Sequence, residues 1–253
     1  MNGFEIHGID HLSPTQLNLF RSDPALWFVK YILGEKGSLG AAALIGTAVE
    51  SHITKVMLGD SSLDTSAAVD MFEASLMANE IDPEEDIGKL SSKVISMTQN
   101  AFNELSTYGK PSCCQKYVET SFDGLGVPIY GYVDFCFDDL NLDVDLKTTS
   151  RMPSVMSDDH ELQAAIYAKS QKRDQVFCYI TPSKTQKIKL EKENYEKAIR
   201  YAERTARAMK KLLEVSHDPE EISALLVPDF SNFKWDSRCK ERAEEYFYGA
   251  ETC

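Results

Sequence analysis

Three short segments decide the fold of this chain: GYVD at 131–134, DLKTT at 145–149 and QAAIY at 163–167. The first two lie in short runs that are typical of β-strands, and the third lies in a helical pattern. Asp145 and Lys147 are two residues apart, so an extended strand directs both side chains to the same face of a sheet. A neighbouring strand can bring Asp134 to them. The spacing therefore predicts two carboxylates and one ammonium group at a single place.

This set of side chains suits a divalent metal and a phosphate ester. Mg²⁺ prefers oxygen ligands and keeps several waters, and it lowers the pKa of a bound water while polarising a phosphate. Lys147 could orient or deprotonate that water, or offset the charge of the transition state. The alternative is a pair of solvent-facing strand acids, Asp143 and Asp145, with Lys147 as their partner. A lone D-x-K tripeptide would favour that alternative.

Gln163 and Tyr167 are four residues apart, so a helix places both on one side. Next to a metal site, Gln163 could bind the water or a phosphate, and Tyr167 could support Lys147 or a nucleic-acid backbone. A tyrosine in the core beside a solvated glutamine is the alternative for this pair alone.

The order of helical and extended patterns predicts a helical N-terminal part followed by a mixed αβ core. Ser13-Pro14 is typical of a helix start, and Pro24 is expected to split the first helical stretch. Further helices are predicted near 41–58, 66–78, 89–105, 159–172 and 192–215. Strands are predicted at 116–122, 129–137, 142–147, 175–181 and 186–190. The adjacent Cys113 and Cys114 are expected in a loop.

Composition limits the class of protein. The chain has 253 residues, 43% of them hydrophobic, and a net charge of −13, which argues against a generally basic nucleic-acid coat but not against a local groove. No apolar run is long enough to span a membrane, and the first residues do not resemble a secretory signal. We therefore expect a cytoplasmic protein, in the host cytoplasm if a phage encodes it. The six cysteines form no C-x-x-C pair.

The three segments resemble the PD-(D/E)XK nuclease superfamily, and in particular its RecB-like exonuclease branch. That branch carries G-x-x-D, D-x-K-T and Q-x-x-x-Y in this order, and the chain is also similar to phage exonucleases and the mitochondrial genome maintenance exonuclease. The resemblance implies a restriction-endonuclease-like α/β core, with a central mixed sheet of about five strands flanked by helices. Residues 1–110 would form the helical N-terminal part and 111–253 the nuclease core and C-terminal helices, together one compact domain.

The resemblance also implies the site residues. Asp134, Asp145, Lys147, Gln163 and Tyr167 would be catalytic. The metal ligands would be Glu50, Asp134, Asp145 and Leu146, with Glu50 taken from the G-x-x-x-E segment at 46–50. His52 is the rival to Glu50, and two residues on a helix lie too far apart around the axis for both to face one ion. DNA contacts are expected from Ser13, Thr148, Thr149, Arg151 and Lys184.

Iron–sulfur members of the branch carry a Cys-Pro pair where this chain has Asp23-Pro24. Four thiolates are needed to hold such a cluster, so none is expected. The resemblance predicts a Mg²⁺-dependent DNA exonuclease, with Mn²⁺ able to substitute, that acts on single strands or free ends in phage-type replication or recombination. A flap or branch endonuclease and a non-catalytic DNA-binding module are the alternatives. Cutting polarity, DNA against RNA preference and oligomeric state stay open.

Overall fold

The structure is a computed structural model that describes residues 2–81, 83 and 85–249. The helices in these residues are α1 (Gly3–Ile6), α2 (Pro14–Ser22), α3 (Pro24–Tyr31), α4 (Ala41–Leu58), α5 (Thr65–Ala78), α6 (Ile87–Leu105), α7 (Asp158–Gln171), α8 (Lys192–Leu213), α9 (Pro219–Ser223) and α10 (Ser237–Tyr248). The strands are β1 (Cys113–Thr120), β2 (Ile129–Phe137), β3 (Leu142–Thr148), β4 (Asp174–Ile180) and β5 (Thr185–Lys189).

Two proline-led caps divide the first helical stretch as predicted. Ser13 Oγ accepts a hydrogen bond from the Gln16 N–H at 3.2 Å at the start of α2. Directly after α2 ends, Asp23 Oδ1 accepts from the Leu26 N–H at 2.9 Å and begins α3. Each cap precedes a proline at the first helical position, where the missing N–H costs nothing because it would have no partner in the helix.

The five strands form one mixed sheet in the order β1-β2-β3-β4-β5, which confirms the predicted central sheet. β2 and β3 pair antiparallel, with Phe135 opposite Val144. β3 and β4 pair parallel, with Asp145 opposite Phe177 and Lys147 opposite Tyr179. β4 and β5 pair antiparallel. A parallel pair needs a crossover connection, and α7 provides it between β3 and β4.

The chain divides into two compact units with boundaries that do not follow chain order. One comprises the residues up to Ser38, Glu119–Gly131 and the residues from Glu196 onward. The other comprises Leu39–Val118 and Tyr132–Tyr195. We call them the terminal unit and the sheet unit. The sequence-predicted division at residue 110, within one compact domain, stays a prediction.

In the sheet unit, the two faces of the strands have different neighbours. Val144, Leu146, Val176, Cys178 and Ile180 join a buried apolar cluster with residues of α4, α5 and α6. Their alternate neighbours Phe177 and Tyr179 pack with Ala164 of α7 on the opposite face. Because side chains alternate along a strand, Asp145 and Lys147 lie on the α7 face.

In the terminal unit, α3 packs against α10. Their contact buries Ala25, Leu26 and Val29 against Trp235 and Cys239, together with Ala243. Asp23, at the position where iron–sulfur members have cysteine, accepts from Trp235 Nε1 at 2.7 Å and from Asn232 Nδ2 at 3.3 Å. A carboxylate thus links the start of α3 to the segment before α10.

The first strand begins earlier than the sequence predicts. Cys113 and Cys114 belong to β1 rather than to a loop, because the chain already pairs at Ser112, whose N–H donates to the Cys136 carbonyl at 2.7 Å. Pairing with β2 therefore outweighs the turn-like composition of this segment. Among the described residues, no helix combines the length and apolarity needed to cross a membrane.

Candidate active site

Asp134 lies on β2 and is one of the two buried carboxylates of the predicted set, with Asp145. Its residue is 6% exposed, and its Oδ2 accepts from the Leu146 N–H of β3 at 2.8 Å. Burial, together with the charges of Asp145 and Glu50, raises the pKa of Asp134 well above its usual range. A carboxylate in such surroundings gains greatly from a nearby cation.

Asp145 and Lys147 leave β3 on the same face, as the spacing predicts. Gln163 Nε2 donates to Asp145 Oδ2 at 2.7 Å, and Lys147 Nζ forms an ion pair with the other oxygen, Oδ1. Burial disfavours the Lys147 ammonium, but Asp145 and Asp134 outweigh it, so the pKa of Lys147 is raised. The Lys147 Nζ also lies 5.3 Å from the centre of the Phe177 ring. Lys147 is therefore held as a cation among the acids.

Gln163 and Tyr167 lie on the face of α7 that is turned to β3. Gln163 Nε2, which donates to Asp145, also lies 3.2 Å from Tyr167 Oη and donates to it. Tyr167 is buried, and burial with the charge of Asp145 raises the pKa of its hydroxyl. The structure thus brings together all five residues for which the resemblance implies catalytic roles.

Glu50, on α4, lies with these acids, whereas His52 does not. Glu50 Oε1 accepts from Gln115 Nε2 at 2.7 Å, and burial and the charge of Asp145 raise the pKa of Glu50. His52 is 2% exposed, and burial lowers its pKa, with Asp64 and Lys55 as the charges that act on it. Its Nε2 has no hydrogen-bond partner among the residues that the structure describes. Of the two rivals for a metal-ligand role, Glu50 has the suitable position.

The residues expected to contact DNA are more scattered. Thr148 and Thr149, at the end of β3, line a cavity of about 640 Å³ together with Ala42, Ile45 and Met97 and others. Thr149 Oγ1 donates to the Arg151 carbonyl at 3.0 Å, and the Arg151 side chain is exposed. Lys184 is exposed on the turn between β4 and β5.

Ser13 differs from the other expected DNA contacts. It belongs to the terminal unit, and its hydroxyl is engaged in capping α2. The structure does not bring Ser13 into the unit that carries the acids.

Two residues near the acids, Gln115 and His160, were not predicted from the sequence. Gln115 of β1 donates to Glu50 and, at 3.3 Å, to Asp134 Oδ1. His160 lies one turn before Gln163, and its Nδ1 is 2.7 Å from Tyr179 Oη. Burial and the charge of Lys147 lower the pKa of His160. Its i, i+3 relation to Gln163 could have indicated it, whereas nothing in the local sequence indicates Gln115.

The donor set fits a hard divalent cation by its chemistry. Glu50, Asp134 and Asp145 offer carboxylate oxygens, the ligands that Mg²⁺ and Mn²⁺ prefer, and burial followed by the charges of neighbouring acids raises the pKa of the first two. Within residues 2–81, 83 and 85–249, no three His, Cys, Asp or Glu side chains are arranged to hold a metal ion. As placed, the carboxylates are engaged by Gln115, Gln163 and Lys147 instead.

The model of the PD-(D/E)XK nuclease superfamily matches residues 11–250. The chain therefore belongs to the PD-(D/E)XK nuclease superfamily, and its five-stranded sheet with flanking helices is a restriction-endonuclease-like α/β core.

A solved structure shares this fold. The crystal structure of a protein from Eubacterium rectale described as a "Putative exonuclease" covers 92% of this chain and 88% of its own, with 11% identity and a TM-score of 0.61. At that identity the likeness shows the fold alone. A second crystal structure, of SSO0001, is 14% identical over 65% of this chain and 84% of its own, but its TM-score of 0.35 carries no argument. A search of curated proteins found no match.

Proposed function

We propose that this member of the nuclease superfamily is a divalent-metal-dependent DNA exonuclease. The observation that carries the proposal is the meeting of Asp134, Asp145 and Glu50 with Lys147 and Gln163 in the sheet unit. Strongly perturbed carboxylates around one lysine are expected at catalytic sites. In a purely structural ion-pair network, the numbers of positive and negative charges would be expected to match. Here three acids surround one lysine, which favours a functional site.

Glu50, Asp134, Asp145 and the Leu146 carbonyl would hold Mg²⁺, for which Mn²⁺ could substitute. When bound, such an ion polarises a phosphate and makes a coordinated water more acidic. The superfamily generally uses divalent metals; the choice of Mg²⁺ is part of the proposal. We also propose that the chain holds no iron–sulfur cluster, since Asp23 occupies the cysteine position and is bonded to Trp235.

The surrounding side chains orient the reacting groups. Gln163 holds Asp145 Oδ2, and Tyr167 holds Gln163, so the carboxylate is fixed in one rotamer. Lys147 carries a positive charge, and its raised pKa favours a role as a donor to the phosphate rather than as a base. A fixed ammonium stabilises the negative charge that develops on phosphate oxygens in the transition state.

Substrate contacts are proposed at the end of the sheet where β3 finishes. Thr148, Thr149, Arg151 and Lys184 offer hydroxyls and positive charges, which commonly bind backbone phosphates. The neighbouring cavity of about 640 Å³ has room for an unpaired base. With a net charge of −13, the chain has little general attraction for duplex DNA. We therefore propose single strands or free ends as substrate, with Ser13 as a further contact.

An acidic nuclease of this kind would suit phage-type replication or recombination in the cytoplasm. This role is proposed from the resemblance to phage exonucleases, and the cleavage assay below does not depend on it.

The test is cleavage of linear and circular DNA that have the same sequence. Linear single and double strands labelled at either end, and a circular single strand, would be incubated with Mg²⁺, Mn²⁺ or EDTA. We expect the linear strands to shorten from an end and the circle to persist. Cleavage of the circle would instead support a flap or branch endonuclease. If none of the DNA substrates is cleaved, the proposed nuclease activity is refuted.

Two variants on the same strand show whether cleavage belongs to the proposed site. Asp145→Asn should abolish it. Asp143→Asn is the matched control, since Asp143 lies two residues earlier on β3, is as deeply buried, and bonds Gln175 rather than the site. Circular dichroism of both variants would confirm that they are folded.

A further inference from the structure

We infer that Gln115 is a positioning residue that keeps Glu50 and Asp134 next to each other, so that both can serve as ligands of one divalent cation. The inference rests on the proposed function, because it concerns the same acids. Its basis is a single amide nitrogen that donates to both carboxylates, at 2.7 Å to Glu50 Oε1 and 3.3 Å to Asp134 Oδ1. No other side chain is described as donating to both of these acids.

The backbone at Gln115 adopts an unusual conformation that aims its side chain. Its φ is +50° inside β1, a left-handed value that residues other than glycine seldom adopt. A left-handed residue within a strand breaks the two-residue alternation and redirects a side chain. Here the redirected amide reaches Glu50 on α4 and Asp134 on β2. Strained backbone of this kind persists where the surroundings require it, often at functional sites.

The Gln115 amide offsets the repulsion between the neighbouring carboxylates of Glu50 and Asp134. Glu50 and Asp134 carry like charges and reach the same Gln115 nitrogen, so repulsion between them would favour their separation if that donor were removed. The donor shared by Glu50 and Asp134 fixes one oxygen of each, Glu50 Oε1 and Asp134 Oδ1, while Asp134 Oδ2 accepts from the Leu146 N–H. Partners of this kind tune metal ligands, and their loss typically weakens metal binding about 10- to 100-fold.

The test is Mn²⁺ binding to the full chain, measured by isothermal titration calorimetry. Gln115→Met keeps the length of the side chain and removes the donor, and Gln115→Gly removes the side chain while relieving the left-handed backbone. We expect both variants to bind Mn²⁺ about 10- to 100-fold more weakly than wild type. The loss of the amide is the change that the two variants share, whereas only Gln115→Gly relieves the backbone strain. If both variants bind Mn²⁺ equally weakly, the effect is therefore due to the amide and not to the strain.

Gln175→Met is the matched control. Gln175 also donates its amide to a strand carboxylate, Asp143, at 2.9 Å, but outside the acid cluster. The Gln175→Met variant should bind Mn²⁺ with a dissociation constant within about twofold of that of wild type. In cleavage assays, raising the metal concentration by the measured factor should restore the rate of Gln115→Met and leave Asp145→Asn inactive.

Two results would overturn the inference, and they differ in what they imply for the site. If wild type binds Mn²⁺ and both Gln115 variants bind it as tightly as wild type does, Gln115 has no positioning role, and the proposed function stands. If wild type and Asp145→Asn alike bind no Mn²⁺, the metal site itself is wrong, and the inference falls with it.

Discussion

Replacing Lys147 with methionine should destabilise the metal-free protein, because it removes the cation from a cluster of acids. The Asp145 side chain is 3% exposed and that of Lys147 is 28% exposed. Breaking a buried ion pair by removing one partner typically costs 3–5 kcal/mol, since the remaining charge is left without compensation. Partial exposure of the lysine places Lys147→Met near the lower limit, at about 3 kcal/mol. Urea denaturation in EDTA would measure the free energy of unfolding.

Two further samples separate charge from packing. The double variant with Asp145→Asn removes both charges and should recover most of the lost stability, since replacing a whole buried pair is often nearly neutral. Added Mg²⁺ should also stabilise Lys147→Met more than wild type, because it supplies the missing positive charge. A single variant within about 1 kcal/mol of wild type, or a double variant no more stable than the single, would refute the reasoning.

Three other predictions concern pH, the terminal unit and DNA. Burial and like charges raise the folded-state pKa of Asp134 well above its usual value of 3.8, so its contribution to stability is lost as pH rises from that usual value through the raised pKa. In urea denaturation, the stability of Asp134→Asn relative to wild type should therefore increase as pH rises above about 4. Asp23→Ala removes a helix cap and leaves the buried Trp235 N–H unpaired, and should cost about 2–4 kcal/mol of unfolding free energy; a loss below about 1 kcal/mol would contradict this. Lys184→Ala should weaken single-strand binding in EDTA and reduce the salt slope by about 0.7 in fluorescence anisotropy. Lys189→Ala, which instead removes an ion pair with Asp174, should leave the slope unchanged; equal slopes in both variants would exclude a phosphate contact at Lys184.

Local sequence patterns predicted most of the secondary structure because their causes are local. The caps at Ser13 and Asp23 identify the starts of α2 and α3, and short runs rich in apolar residues identify β2 to β4. Shorter or more polar elements were missed: α1 and α9 have only four and five residues, and α10 is held by contacts with α3 that no local pattern shows. The two compact units were not predicted either, since each joins distant segments.

The candidate site divides in the same way. Asp134, Asp145, Lys147, Gln163 and Tyr167 follow from spacing and resemblance, because the alternation of a strand and the turn of a helix fix which side chains share a face. Gln115 could not be predicted, because its position depends on a left-handed backbone that its sequence does not favour.

The most direct test of the account is the position of a manganese ion in crystals of the protein soaked in Mn²⁺. Anomalous scattering at the manganese edge would locate the ion independently of the surrounding model. The account predicts one strong peak within ligand distance of oxygens from Glu50, Asp134 and Asp145. Carboxylates that point apart with no peak between them, in crystals that remain well ordered, would contradict it.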